Sequence, residues 1–255
     1  PVSESAIAPN FRPDQVPVTW RSGESVARGR APGEGTSGSD ADRRGAEATV
    51  EIVAGGDESG GGGDGRSDSD ALDRRVIKRR VPKEYRHPAL DRTLRRDRTV
   101  AEARLTSEAR RAEVPTPLVY DADVPNATLT LQHVGDRDLA AVLDGGTERA
   151  AAVGRHLARL HGAGIVHGDP TTRNARVEQR EDGDPQVTLI DFGLAYHTGH
   201  VEDRAMDLHV FEGSVRATAT DPDPLIESFE TGYAAVGDDD VLERLRDVRG
   251  RGRYR

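Results

Sequence analysis

The segment IVHGDPTTRNARV, residues 165–177, followed by VTLIDFG, residues 187–193, constrains this chain more than any other feature. Asp169 and Asn174 lie five residues apart on one loop, and Asp191 follows Asn174 by seventeen, after an apolar run that reads as a strand. Phosphoryl transfer needs metal ions that bridge phosphate oxygens and a carboxylate beside the incoming hydroxyl or water. A loop Asp, an Asn later on that loop and a second Asp beyond a hairpin supply both. On this reading Asp169 orients the nucleophile or takes its proton. Asn174 and Asp191 hold Mg2+ through hard oxygen ligands. As plain structural residues, Asp169 would be a turn residue and Asp191 a cap. DFG alone recurs by chance; the combined spacing is far more specific.

The upstream half offers a partner for the phosphates. Lys78 lies in VIK at the end of a predicted strand, and Glu102 lies in TVAEARL on the first long predicted helix. A strand lysine can reach the α- and β-phosphates, and a helix glutamate can hold its ammonium in place. The alternative is a solvated surface pair worth little. Lysine is scarce, however: only Lys78 and Lys83 occur, and every other basic side chain is arginine or histidine. Gly45, in GAEA, could turn the backbone over a nucleotide, but a full GxGxxG is absent and a simple strand start fits equally. Gln132, His133 and Val134 would link two lobes and present backbone groups to an adenine edge. ATP with Mg2+ is therefore the expected cofactor pair. His167 reads as a packing residue that steadies the loop rather than as a base, and His161 as a cap or core residue. No HExxH spacing points to histidine metal chemistry.

Periodicity predicts strands at 47–54, around Lys78, and in VPTPLVYDAD and ATLTLQHV, with a helix over 88–112 whose apolar positions are Leu90, Leu94, Ala101, Leu105 and Ala109. Beyond Gly135 the pattern turns helical: RDLAAVL, Glu148–Leu160, Pro224–Val236 capped by Asp223, and Val241–Val248 capped by Asp240. A strand pair brackets GDPQVTLIDF. Ser22–Asp42 is rich in Gly, Ser, Asp and Arg and reads as a linker, and residues 55–70 read as a disordered acidic glycine-rich loop.

Charge and composition narrow the function classes. Asp plus Glu number 45 against 36 Lys plus Arg, a net charge of −9, which excludes a strongly basic nucleic-acid coat protein but not a local basic patch. There is no cysteine, so disulfides, thiolate catalysis and zinc–cysteine sites are excluded. No apolar run approaches the length of a membrane span, and a cytoplasmic protein without a membrane partner is expected. Abundant Asp with scarce Lys suits a protein kept soluble at high salt, as in a halophilic archaeon. Two arginine-rich segments, KRRVPKEYRHP and DRTLRRDR, flank the strand lysine and the long helix, and VRGRGRYR ends the sequence. With Tyr254 they suit contacts to RNA phosphates and bases; surface ion pairs are the competing reading of the first cluster.

Taken together, GAEA, VIKRRVPKEYRHPALD, RTVAEARL, GIVHGDPTTRN, LIDFGLA, VEDRAMDLHV and RGRYR resemble the small atypical, RIO-like kinase and ATPase subunit of the KEOPS/EKC complex over residues 44–255. The resemblance implies an α+β fold: a compact two-lobed protein-kinase-like fold with a small β-rich N-lobe, 44–134, a helical C-lobe, 135–255, and no long activation segment. It implies an ATPase or serine/threonine kinase that supports N6-threonylcarbamoyladenosine formation at position 37 of tRNA. Implied partners are a threonylcarbamoyl-transferase subunit, other KEOPS subunits and tRNA. Lys78 resembles the phosphate-binding lysine and Glu102 its partner; Asp169 resembles the catalytic Asp, and Asn174 and Asp191 the metal ligands. Asp203 and Asp207 resemble braces of the catalytic region, and RGRYR a tail that aids tRNA-dependent activity. RPDQVPVTWR resembles the end of the transferase subunit, so residues 1–21 are expected to be the tail of a fused upstream domain and 22–43 the linker. Two departures stand out: Pro170 replaces the usual Leu after HGD, and Arg173 and Arg176 occupy a stretch that is normally less charged. Alternatives kept open are a kinase acting on other proteins and a catalytically weak nucleotide-binding scaffold.

Overall fold

The computed structural model describes residues 43–44, 48–54, 74–178 and 186–251. Residues 1–21, most of the 22–43 linker, Gly45 with the rest of GAEA up to Glu47, the 55–70 loop and the tail from Gly252 lie outside the described residues. The β-branched runs ATVEIVA and RRVIKRR form β2, Ala48–Ala54, and β3, Arg74–Arg80. They pair antiparallel with Val50 opposite Lys78. β3 pairs in turn with β5, Thr128–Gln132, which places Leu129 opposite Lys78, and β5 pairs with β4, Val119–Asp123. β1, Arg43–Arg44, adds an edge and begins at the last residue expected of the linker. The five-stranded antiparallel order is β1-β2-β3-β5-β4, so the lysine strand is central.

Helix α1, Pro88–Arg111, crosses this sheet. It begins with a proline at its first turn and His87 as N-cap, whose Nδ1 accepts from the Ala89 N–H at 3.4 Å. The expected apolar stripe is only half right. Leu105 and Ala109 are buried, but Leu90 is 54% exposed, and the buried face also carries Asp91, Thr99, Glu102 and Thr106. The helix is polar on its inner side because that side faces a charged cleft. Only a small apolar cluster, Ala122, Leu129 and Leu131 with Val76, Ala103 and Val119, glues it to the sheet.

The helical lobe is built from α2, Thr147–Gly162, α3, Val201–Thr218, α4, Asp223–Ala234, and α5, Asp239–Arg251. Their inner faces supply the main core, including Leu157, Leu160, Phe211, Phe229, Tyr233 and Leu245. Each such side chain contributes about 1.5–3 kcal/mol on burial. α2 and α4 meet at backbone distance: a Cβ on Gly154 would lie 2.1 Å from the Phe229 carbonyl, and one on Gly232 2.1 Å from that of Ala151. Three short ladders complete the lobe. β8, Ala175–Glu178, pairs with β9, Gln186–Leu189, and with β6, Arg137–Asp138; β7, Ile165–Val166, pairs with β10, Tyr196–His197.

Four expectations need correction. RDLAAVL is not an α-helix: Arg137–Asp138 joins a ladder and Leu139–Val142 makes a 3-10 turn. The Ala140 N–H goes to the Thr172 carbonyl at 3.0 Å, so this segment satisfies its backbone on the catalytic loop instead of on itself. Asp223 is not a cap; it sits in the first turn of α4 after Pro222, with no side-chain cap bond. Asp240 likewise lies inside the first turn of α5. Finally, α3 is a full helix that the periodicity did not announce. Only residues 194–200, which include β10, separate the DFG turn from α3, so no long activation segment is present. Among the described residues no helix is long and apolar enough to cross a membrane.

Candidate active site

Alternation along β3 puts Lys78 and Arg80 on one face, toward α1. Glu102, 2% exposed, receives both: Lys78 Nζ donates to Oε1 at 2.7 Å, and Arg80 Nη2 to Oε2 at 2.6 Å. Lys78 Nζ also donates to Asp191 Oδ1 at 2.7 Å, joining strand, helix and DFG turn at one ammonium. Burial works against the charged lysine, but the carboxylates of Glu102 and Asp191 outweigh it and hold the pKa of Lys78 above its ordinary value. Burial likewise works against the Asp191 carboxylate, and Lys78 outweighs that, so its pKa is lowered. Lys78 is therefore a fixed cation at working pH.

The turn at residues 167–169 is shaped by backbone demands. Gly168 has φ +82, and a Cβ there would lie 2.3 Å from the Leu194 carbonyl oxygen. Asp207, from α3, accepts the N–H groups of His167 at 2.6 Å and Gly168 at 2.9 Å. Asp207 is thus a brace of this turn, as expected; Asp203 instead accepts from Thr198 Oγ1 at 2.6 Å, tying down the segment before α3. Thr172 is anchored from below, its N–H donating to Ser214 Oγ at 2.9 Å. Between these anchors Asn174 Nδ2 donates to the Asp169 carbonyl at 2.9 Å and to its carboxylate at 3.0 Å. Burial raises the pKa of Asp169, with Asp191 and Asp207 adding to the rise and His167 and Asn174 opposing it.

Asp191 sits in the left-handed region, φ 64 and ψ 68, and accepts the Gly193 N–H at 3.2 Å. The residue before it, Ile190, donates its N–H to the Asn174 carbonyl at 2.9 Å, which sets the DFG turn beside the catalytic loop. The arrangement thus brings Lys78, Glu102, Asp169, Asn174 and Asp191 into one connected set. His167 is fully buried, its Nε2 facing the Ile190 carbonyl at 3.0 Å, its ring on Phe192, and its Nδ1 without a hydrogen-bond partner. Burial depresses its pKa, so it is a neutral Nε2–H donor that steadies the loop.

The donor set suits Mg2+. Because Asn174 commits its Nδ2 to Asp169, its Oδ1 is the atom it would offer to a metal, and Asp191 offers a half-exposed carboxylate. Among the described residues no three His, Cys, Asp or Glu side chains form a cage of their own. Mg2+ shared with phosphates needs only one or two protein oxygens. Arg173 points to solvent and Arg176 pairs with Asp138 and with the carbonyls of Val134 and Gly135, at the linker between the lobes. The linker between lobes is partly occupied. The N–H of Gln132 goes to Leu118 O at 2.8 Å and that of His133 to Arg74 O at 3.0 Å, so both are engaged within the protein.

Two contributors were not read from the sequence. Arg80 was legible in principle, two residues beyond Lys78 on a strand, and Ser214 carried no signal. His161, expected as a cap or core residue, is buried near the end of α2 and bridges Tyr233 Oη at 2.9 Å and Asp207 at 3.2 Å. On the outer side of α1, Arg92, Thr93, Arg95 and Arg96 line a surface cavity of about 260 Å³ against Val124, Pro125 and Ala127. It is basic but lies apart from the Lys78–Asp191 contact.

The model of the lipopolysaccharide kinase (Kdo/WaaP) family matches residues 58–233. A probable bifunctional tRNA threonylcarbamoyladenosine biosynthesis protein of Haloquadratum walsbyi is 53% identical over 254 residues, covering 99% of this chain and 42% of that protein. A protein of the same description from Halobacterium salinarum is 54% identical over 255 residues, covering 100% of this chain and 42% of its own length. The chain therefore spans less than half the length of these curated relatives. A solved structure of Chaetomium thermophilum Rio2 kinase, in complex with ADP/Mg2+-phosphoaspartate, aligns with TM-score 0.44 at 16% identity, over 84% of this chain and 71% of that one.

Proposed function

Since the chain belongs to the lipopolysaccharide kinase (Kdo/WaaP) family, we propose that it is a kinase-fold, Mg2+-dependent ATPase serving N6-threonylcarbamoyladenosine modification of tRNA. Its relatives, probable bifunctional tRNA threonylcarbamoyladenosine biosynthesis proteins, support the pathway. The chemistry is supported by one observation above all: Lys78 Nζ stands 2.7 Å from both Glu102 and Asp191, which come from segments 24 and 113 residues away. A buried ammonium held between a helix and a DFG turn is arranged to meet a polyphosphate.

Each residue then has a task. Glu102 keeps Lys78 extended along β3. Lys78 exchanges its Asp191 contact for nucleotide phosphate oxygens. Asp191 and Asn174 would hold Mg2+, which would supply positive charge to the phosphates when bound. Asp169, aligned by Asn174, orients the attacking water or hydroxyl and receives its proton. Asp207 and His167 keep the turn rigid, so the carboxylate meets the nucleophile without rearrangement. The threonylcarbamoyl-transferase domain or subunit, other KEOPS subunits and tRNA are the proposed partners, with the basic face of α1 and the RGRYR tail as the tRNA-facing elements.

The test is ATP turnover by the complete polypeptide, with and without tRNA, before and after chelation of Mg2+. Turnover should require Mg2+, rise with tRNA and fall at least about a hundredfold in Asp191→Ala. Equal rates for wild type and Asp191→Ala would remove the catalytic role. Label appearing on a protein or a lipopolysaccharide acceptor faster than inorganic phosphate is released would favour a true phosphotransferase instead.

A further inference from the structure

We propose that Arg80 is a positioning residue: it locks Glu102 and helix α1 onto β3, so that the Lys78–Glu102 pair is permanently assembled and needs no activation step. The inference rests on the reading of Lys78 as the phosphate-binding lysine. In regulated kinases the same lysine–glutamate pair forms or breaks as the helix swings, under control of an activation segment. Here the segment between the DFG turn and α3 is short, and the glutamate has two cations rather than one.

The two cations divide the carboxylate. Lys78 takes Oε1 and Arg80 takes Oε2, at 2.7 and 2.6 Å. Arg80 is only 5% exposed, and its own N–H is bonded to the Ala127 carbonyl at 3.0 Å, so the strand that carries it is pinned as well. Its guanidinium also lies under the DFG turn: a Cβ on Gly193 would stand 3.1 Å from Arg80 Nη2, 3.0 Å from Asp191 Oδ1 and 3.5 Å from Glu102 Oε2. When Lys78 shares its charge with a nucleotide, Glu102 therefore keeps a second cation on its other oxygen. A lone lysine could not serve both purposes.

The rest of α1 is fixed in the same sense. At its start Asp91 accepts the Lys83 N–H at 3.2 Å and Arg95 Nε at 2.7 Å. Near its end Glu108 meets His197 at 2.8 Å, and Arg110 reaches the Thr116 carbonyl at 2.6 Å. The next carbonyl upstream, that of Pro115, accepts from Leu189 of the helical lobe at 2.9 Å. Both ends are tied down, and Arg80 supplies the tie in the middle, where the reactive pair is. A planar fork suits this better than an ammonium, because it holds direction as well as charge.

The experiment compares Arg80→Met, Arg80→Lys and Lys78→Met in the complete polypeptide, by amide hydrogen exchange and by steady-state ATP turnover. Exchange in α1 around Glu102 should rise about tenfold or more in Arg80→Met. It should stay near wild type in Lys78→Met, where Arg80 still holds the carboxylate. In Arg80→Met kcat should fall about tenfold or more with KM for ATP changed less than about threefold, and Arg80→Lys should recover part of both losses. Unchanged exchange in Arg80→Met overturns the proposal. So does a rise in KM with kcat intact, which would make Arg80 a nucleotide contact. Should Arg80→Met not fold, Arg80→Lys decides by the same two measurements, with the loss intermediate if the fork matters and absent if it does not. Wild-type protein without ATP turnover would defeat the functional reading, while the exchange comparison would still decide the lock.

Discussion

Asn174 grips Asp169 twice, its Nδ2 donating to the backbone carbonyl at 2.9 Å and to the carboxylate at 3.0 Å. The second bond favours the charged carboxylate, while burial, first among the causes, raises its pKa. Asp169→Asn should lower ATP turnover about 10²–10⁴-fold, the usual range for a lost proton acceptor, with little change in thermal midpoint. Asn174→Ala should move the acidic limb of the turnover–pH profile upward, because it removes a bond that lowers the Asp169 pKa. A pH–rate series on the two variants checks both statements; a limb that stays in place in Asn174→Ala would show that the bond does not set the titration.

Asp207 is the brace whose loss should be felt most in the fold. It is 3% exposed and receives two backbone N–H groups and His161. Asp207→Ala leaves three donors, two backbone N–H groups and His161 Nε2–H, without an acceptor, which costs at least about 3 kcal/mol. Asp207→Asn keeps one acceptor oxygen and should cost less. Urea midpoints at constant m-value give the comparison. Because the catalytic turn loses its anchor, turnover should fall in Asp207→Ala even at temperatures where the protein remains folded.

Much of this site was legible because its chemistry is local in sequence. Asp169 and Asn174 share one loop, Asp191 follows on the next, and the Lys78 strand shows its β-branched neighbours. What was not legible depends on contacts between distant segments. α3 buries Ala205, Leu208, Phe211 and Val215, a helical spacing, but Asp207 and Glu212 share that buried face and blur its apolar pattern. Glu212 is buried with Arg249 of α5 as its partner, 37 residues away and beyond any window of sequence; Arg249 also pairs with Glu230. RDLAAVL has helical propensity, yet Arg176 draws Asp138 into a ladder and Thr172 takes the Ala140 N–H. Tertiary pairing overrode propensity there. The polar inner face of α1 misled in the opposite direction, since Leu90 and Leu94 matched the period but the helix turned its glutamate inward.

Acid sensitivity should come chiefly from a buried histidine in the core of the helical lobe. His156, on α2, is 8% exposed; its Nε2 faces the Val187 carbonyl at 3.1 Å and its Nδ1 is buried without a hydrogen-bond partner. That environment holds the neutral Nε2–H tautomer. Burial first, then the nearby Arg159 and Arg155, push its pKa from 6.5 down to about 4, against the opposing pull of the Val187 bond. The unfolded chain therefore binds a proton between pH 6.5 and 4 that the folded chain refuses. Stability from this group is complete above the unfolded value and declines as pH falls through that window, by about 3 kcal/mol in total. His167, also lowered by burial, adds to the same slope. Thermal midpoints measured across this range at constant salt should fall steeply in the wild type. His156→Gln can still donate to Val187 but cannot be protonated, so its curve should be flatter, with the two diverging only below pH 6.5. Parallel curves would mean that the acid-labile proton sits elsewhere.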